Sequence, residues 1–265
     1  MKQAELFDVR GHVAIVTGAA SVLGLAFAEV MAENGAKVLL TDIDEPGLDA
    51  ATSRLRAAGC DVEHSVVDAG DSEVTRGAID QAVQRHGRLD VMFANAGISS
   101  GPGFELSPNG EIDVADLDLF DRVIHLNLTS TFLAIRFAAA HMKRQRSGSI
   151  VATTSIAGLR SEPLVGYGYV AAKAAIGNIV RHAAVELAPY RVRVNAIAPG
   201  PFLTNIAGGR LHRDPEIVAK FTAMIPMGRL GAPDEIKGLA LLLESPAGSF
   251  ITGAVIPIDG GTTAK

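Results

Sequence analysis

The stretch His12-Val13-Ala14-Ile15-Val16-Thr17-Gly18-Ala19-Ala20-Ser21-Val22-Leu23-Gly24 decides how this chain folds. Its first half is a short apolar, β-branched run, the pattern of a strand buried on both faces. A turn of small residues follows, and then Leu23, Phe27, Val30 and Met31 recur at i, i+4, i+7 and i+8, the stripe of a helix. Asn34-Gly35 stops that helix, and a second apolar run, residues 37–42, begins at once. Strand, helix and strand in this order make a parallel crossover unit.

Outward from this unit the alternation continues. Apolar runs at residues 12–17, 37–42, 62–68, 89–94, 149–154, 191–198 and 254–258 are separated by segments of helical period. No repeat, low-complexity tract or long linker interrupts them, which predicts an α/β fold in which helices cover both faces of a parallel sheet. The 265 residues are read as one domain, 1–265, with loops at about 98–113 and 201–228 on the substrate side.

Composition narrows the class. With 48% hydrophobic, 20% charged and 5% aromatic residues the chain is an ordinary globular sequence, not a disordered or fibrous one. A net charge of −5 argues against nucleic-acid binding, which needs a basic face. The lone Cys60 forms no disulfide within the chain and fits a reducing compartment. The first ten residues lack the apolar stretch of a signal peptide. The run 132–140 contains Arg136 and is too short to span a membrane. The expectation is a cytoplasmic protein without membrane or metal partners.

Ser99-Ser100-Gly101-Pro102-Gly103-Phe104 and Ser107-Pro108-Asn109-Gly110 read as loop, and a loop this long is either a substrate-side element or a solvated excursion. After it, the spacing predicts a helix from near Val114 that buries Leu117, Phe120, Ile124, Leu128, Thr131 and Ile135. Asn127 falls on the same side, where an amide is costly unless bonded, either within its own helix or to something beyond it.

The turn after the first strand brings backbone N–H groups and the positive end of a helix to one point, a cradle for a pyrophosphate. Gly18 supplies the tight turn, and Gly24 permits close packing of helix on strand. Asp42 ends the second strand 24 residues after Gly18. A carboxylate there accepts both hydroxyls of an adenosine ribose and repels a 2'-phosphate, selecting NAD over NADP, or else it caps the helix around Pro46. Asp68 either meets an adenine amino group or caps the helix beginning at Asp71 and Ser72. Tyr169 and Lys173 lie one helical turn apart, with cation and phenol on one face, and a neighbouring cation favours phenolate. Tyr167 has only Ala171 at that spacing. Ser155, at the end of the run 150–155, is either a ligand-side hydroxyl or a turn residue.

Taken together, Thr17-Gly18-x-x-x-Val22-x-Gly24, Asn95-Ala96-Gly97, Asn127, Ser155, Tyr169-x-x-x-Lys173, Pro199-Gly200 with Thr204, and Asp259-Gly260-Gly261 resemble the short-chain dehydrogenase/reductase family from about Gly11 to Gly261. The resemblance implies a doubly wound Rossmann fold with seven parallel strands in the order 3-2-1-4-5-6-7, NAD as cofactor, and hydride transfer between nicotinamide and the carbinol carbon of a secondary alcohol. It implies that Asn127, Ser155, Tyr169 and Lys173 are catalytic: Tyr169 takes the alcohol proton, Ser155 holds the oxygen, Lys173 binds the ribose, and Asn127 orders a relay water. It places Gly18, Ser21, Leu23, Gly24, Asp42, Asp68, Ala69, Asn95, Gly97, Tyr169, Lys173, Pro199, Gly200, Phe202 and Thr204 around the cofactor. It also implies a homotetramer built on the helices after the fourth and fifth strands and on the last strand.

Two features depart from the family pattern. Val22 stands where the family has glycine, so it either resists a positive φ or crowds the pyrophosphate, weakening cofactor binding in both cases. The spacing from Ser155 to Tyr169 is one residue long for the family, and with the long loop it leaves the substrate open. Ile98, Phe104, Ile156, Leu164, Phe202, Ile206, Phe221 and Met224 are candidates for an apolar pocket. Arg160, Arg210, His212 and Arg213 either recognise an anion or are solvated, and Gly208-Gly209 reads as the hinge of a lid.

Overall fold

The computed structural model describes residues 2–205, 209 and 211–265, with Gln3 and Ala4 described by their backbone alone. The elements follow in the order α1 (Gln3–Leu6), β1 (Val13–Thr17), α2 (Val22–Glu33), β2 (Lys37–Asp42), α3 (Glu45–Ala57), β3 (Val62–Val66), α4 (Ser72–His86) and β4 (Val91–Ala94). Next come α5 (Leu117–Val123), α6 (Ser130–Gln145), β5 (Gly148–Thr153), α7 (Tyr167–Leu187), β6 (Val192–Pro199), α8 (Pro215–Met224), α9 (Lys237–Glu244) and β7 (Val255–Ile258). The strands form one seven-stranded sheet, β3-β2-β1-β4-β5-β6-β7, in which every neighbouring pair is parallel.

Strand periodicity builds two cores. Ala14, Val16, Val38, Leu40, Val91, Phe93 and Val151 face α2, α3 and α9, where Phe27 stacks on Phe93 with ring centroids 4.8 Å apart. Ile15, Leu39, Met92, Ile150, Ala152 and Val194 face α4, α6 and α7. The central strands β1, β4, β5 and β6 are therefore buried on both sides, which is why their runs lack polar alternation, whereas the edge strands β3 and β7 are only partly covered.

Several boundaries differ from expectation. β3 ends at Val66 and β5 at Thr153, so Asp68 and Ser155 both stand in the turns beyond their strands. The helix expected near Val114 starts at Leu117, because the Asp116 carboxylate accepts the Leu119 N–H at 3.0 Å and fixes the cap. Leu117 is consequently 76% exposed and off the buried stripe; α5 buries only Val123. A π turn at Ile124–Thr129 joins α5 to α6 in one helical run, Leu117–Gln145, of 29 residues. By length and composition this run could cross a bilayer, unlike the shorter run read from sequence, but here half of its most apolar window is buried in the protein.

Candidate active site at the carboxyl edge of the sheet

Strand order reverses between β1 and β4, and the residues after both strands meet there. Gly18 adopts φ +68°, and a Cβ on it would sit 2.9 Å from Ala96 Cα. A Cβ on Gly24 would strike the Gly18 carbonyl. Ser21 caps α2, accepting the Gly24 N–H at 3.3 Å and donating to the Gly18 carbonyl at 2.6 Å. Val22 opens α2, and among the described residues only Arg146 and Arg191 combine a side chain with positive φ. The conformational objection to Val22 therefore falls, and the steric one stands, since Val22 lines the cleft described below.

Asp42 ties the turn to β2. One oxygen accepts the Ala20 N–H at 3.0 Å, and the other accepts the N–H groups of Ile43 and Asp44 at 2.8 and 3.1 Å. The cap of α3 is Asp44, not Asp42, which removes the capping alternative. Asp71 caps α4 in the same way, while Asp68 accepts the Gly70 N–H at 2.8 Å. Gly18, Gly24, Asp42, Asp68 and Ala69 frame this end without reaching the cleft wall. Asn95 joins three strands: its Nδ2 donates to the Thr17 and Gly18 carbonyls at 3.2 and 3.3 Å, and its Oδ1 accepts from Thr153 Oγ1 at 3.0 Å.

A cleft of about 720 Å³ opens beside this turn. Asn127, Ser155, Tyr169 and Lys173 all line it, together with Ser21, Leu23, Asn95, Gly97, Pro199, Gly200, Phe202 and Thr204. Asn127 is fully buried in the π turn, and its amide reaches across to Ile98 instead of bonding its own helix. A Cβ on Gly97 would strike Asn127 Oδ1, so this approach requires glycine. Ser155 caps the short turn Ile156–Gly158, accepting the Ala157 N–H at 3.2 Å, so it is both a turn residue and a cleft hydroxyl.

Lys173 Nζ lies 5.4 Å from the centre of the Tyr169 ring and donates to the Thr153 carbonyl at 2.8 Å. Burial lowers the Lys173 ammonium to about 8. Burial also pushes the Tyr169 phenol above its ordinary value, and the Ser155 hydroxyl works against that rise. The phenol of the protein alone is therefore not the acidified one expected from sequence, because desolvation outweighs the neighbouring groups.

Ile98, Ile156, Leu164, Phe202 and Phe221 line the cleft as expected, whereas Phe104 and Met224 do not. Phe104 is 45% exposed. Arg160 is no free anion receptor: its Nη1 donates to the Thr262 carbonyl at 2.7 Å. The expectations for Ile206, Gly208 and Arg210 lie outside the described residues. The long loop docks on the segment before α7, pairing Pro102 with Val165, and Gly101, Pro102 and Leu106 join the wall. Sequence reading passes over Thr153, whose carbonyl has no residue-type signature, and Glu162, a wall residue in that segment.

A family model described as enoyl-(acyl carrier protein) reductase matches residues 18–263. A cis-4-hydroxycyclohexanecarboxylate dehydrogenase from Sinomonas cyclohexanicum is 40% identical over 253 residues, covering 96% of this chain and 97% of that protein. The chain belongs to the short-chain dehydrogenase/reductase family. A cyclohexanol dehydrogenase from Rhodococcus sp. strain TK6 is 37% identical, with 96% of this chain and 97% of that one covered. A solved structure from Beutenbergia cavernae carrying NADP at low occupancy is 31% identical, with a TM-score of 0.87 over 98% of this chain and 100% of its own. This short-chain dehydrogenase/reductase is thus an oxidoreductase interconverting CH–OH and carbonyl groups with a nicotinamide cofactor. Its residues fit that cofactor, because the tight packing that glycine allows at positions 18 and 24 brings the start of α2, with Ser21, Val22 and Leu23, to the cleft wall, where a helix N-terminus can hold a pyrophosphate.

Proposed function

We propose that the protein is an NAD-dependent dehydrogenase oxidising a secondary alcohol to a ketone, with Tyr169 as proton acceptor. The observation that carries this reading is the convergence of Asn127, Ser155, Tyr169 and Lys173 on one cleft beside the Gly18–Gly24 turn. Relatives named for cyclohexanol and hydroxycyclohexanecarboxylate support a secondary alcohol.

Ser21, Leu23, Asn95, Gly97, Pro199, Gly200, Phe202 and Thr204 would hold the dinucleotide along the cleft, with Gly18, Gly24, Asp68 and Ala69 behind them. Asp42, fixed at the end of β2 by the Ala20 N–H, would face the adenosine ribose and favour NAD. The chemistry a bound nicotinamide supplies is acceptance of the hydride from the carbinol carbon. Ser155 donates to the alcohol oxygen and orients it. The alcohol proton passes to Tyr169 Oη in its phenolate form, which the Lys173 ammonium and the charge of a bound nicotinamide would together favour against the desolvation that raises the phenol in the protein alone. Asn127 positions the loop after β4 through Ile98 and would order the relay water.

We read the loops at about 98–113 and 201–228 as the substrate side of one domain spanning residues 1–265. The lone Cys60 supports a reducing, cytoplasmic compartment. Exposed Phe132 on α6, Val185 on α7 and Phe250 before β7 support the homotetramer, since these are the elements assigned to its contacts.

The test is NADH or NADPH formation at about pH 7.5 and about pH 9 over aliphatic, aromatic, sugar and hydroxyacid secondary alcohols, with Tyr169→Phe as control. Turnover with NAD that vanishes in the variant supports the reading, and turnover that survives in Tyr169→Phe rejects it.

A further inference from the structure

Among the described residues of the cleft wall, one buried polar side chain has no hydrogen-bond partner in the protein. Glu162 is 6% exposed, lies in the segment between β5 and α7, and lines the cleft. Neither of its carboxyl oxygens has a partner in hydrogen-bond geometry, although the Leu164 N–H of the same segment is close enough to favour its charged form. Its neighbours on the wall are differently placed: Asn127 bonds Ile98, Lys173 bonds the Thr153 carbonyl, Thr153 bonds Asn95, and Ser155 accepts from Ala157.

An unpaired buried carboxyl is a cost that folding alone does not return. Burial pushes its protonation upward, the charge of Arg160 and the Leu164 N–H oppose this, and Glu105 adds to it. The Arg160 guanidinium, however, is committed to the Ser161 and Thr262 carbonyls. Among the described residues of the cleft wall the only cation is Lys173, and its ammonium is already donating to Thr153. Among its described residues the wall thus offers a buried acceptor that no protein donor fills and no cation beyond Lys173 to meet an anion.

Building on the secondary-alcohol reading above, we propose that Glu162 determines specificity: it selects a secondary alcohol bearing a second hydrogen-bond donor, hydroxyl or ammonium, remote from the carbinol carbon, and rejects one bearing a carboxylate there. Glu162 accepts from that donor and takes no part in moving the hydride or the alcohol proton. In this it separates the protein from its relative named for a hydroxycyclohexanecarboxylate.

The experiment compares cyclohexanol, cyclohexane-1,4-diol, 4-aminocyclohexanol and 4-hydroxycyclohexanecarboxylate as substrates of the wild type, Glu162→Gln and Glu162→Leu, after circular dichroism has shown that the variants fold. The wild type should favour the diol or the amino alcohol over cyclohexanol by about tenfold or more in kcat/KM, mainly through KM, consistent with loss of one hydrogen-bond pairing. Glu162→Gln should lose the ammonium preference and raise the carboxylate's kcat/KM about tenfold. Glu162→Leu should level the three uncharged and cationic substrates while keeping turnover of cyclohexanol. Unchanged ratios in Glu162→Leu overturn the proposal. Absence of turnover with all four compounds would count against the secondary-alcohol reading instead. In that event calorimetric binding of the same compounds in the presence of NADH, wild type against Glu162→Leu, decides the role of Glu162 independently.

Discussion

Asn127 and Ile98, 29 positions apart, exchange a matched pair of hydrogen bonds. Asn127 Oδ1 accepts the Ile98 N–H at 2.7 Å, and its Nδ2 donates to the Ile98 carbonyl at 3.0 Å. The amide thus substitutes for a strand partner where β4 has ended, and it pins the loop that walls the cleft. Asn127→Leu leaves both backbone groups of half-buried Ile98 without this partner, at up to roughly 1–3 kcal/mol for each. Urea denaturation should show this loss, together with a fall in kcat/KM. Full activity in a variant destabilised by this amount would refute the link between clamp and site.

Lys173 should trade stability for activity. Its folded-state value of about 8 lies below the ordinary 10.5, so between those limits the unfolded chain holds a proton that the folded protein has released. Stability therefore rises with pH from about 8 to about 10.5, by up to roughly 3 kcal/mol from this group. In Lys173→Met that rise should be missing from Tm measured against pH, and turnover should drop about 10²- to 10⁴-fold. A variant with the wild-type slope would show that the ammonium is not desolvated.

Glu244 predicts a slope of opposite sign. Burial raises its carboxyl from 4.5 to about 7, with the Arg193 charge and the Ser149 hydroxyl only partly opposing. Between those limits the folded protein holds the extra proton, so stability falls as pH rises from about 4.5 to about 7. Glu244→Gln should flatten that limb in chemical denaturation at stepped pH, and an identical pH dependence in the variant would exclude Glu244 as its source.

Val22 sets the fourth expectation. It opens α2 and lines the cleft, so Val22→Gly should lower the KM for NAD severalfold while leaving kcat nearly unchanged, the pattern of a uniform binding effect. Glycine in a helix costs about 0.5–1 kcal/mol, so a small drop in Tm should accompany the change. An unaltered KM would mean that the valine methyl groups do not meet the pyrophosphate.

The pieces of the site differ in how far they could be read in advance. Gly18, Gly24, Tyr169 and Lys173 were legible because a tight turn and a one-turn helical spacing are local properties of the chain. Asp42 was legible as a residue but not in its role, since only the cap at Asp44 separates tether from cap. Leu117 misled, because its helical spacing fits the stripe while the Asp116 cap places it in an exposed first turn.

The sequence by itself determined the alternation of strands and helices and the turn after β1, while the grouping of Asn127, Ser155, Tyr169 and Lys173 was implied by resemblance to the family. The first two follow from periodicity and short-range geometry, which act within a few residues. Only the tertiary structure decided that Asn127 bonds Ile98, that Lys173 bonds the Thr153 carbonyl, and that Glu162 is buried without a partner. Backbone partners carry no residue signature, and burial is the sum of what distant segments contribute. The same Glu162 on an exposed loop would be a solvated charge; enclosed by the cleft wall, it becomes a buried acceptor left for a ligand.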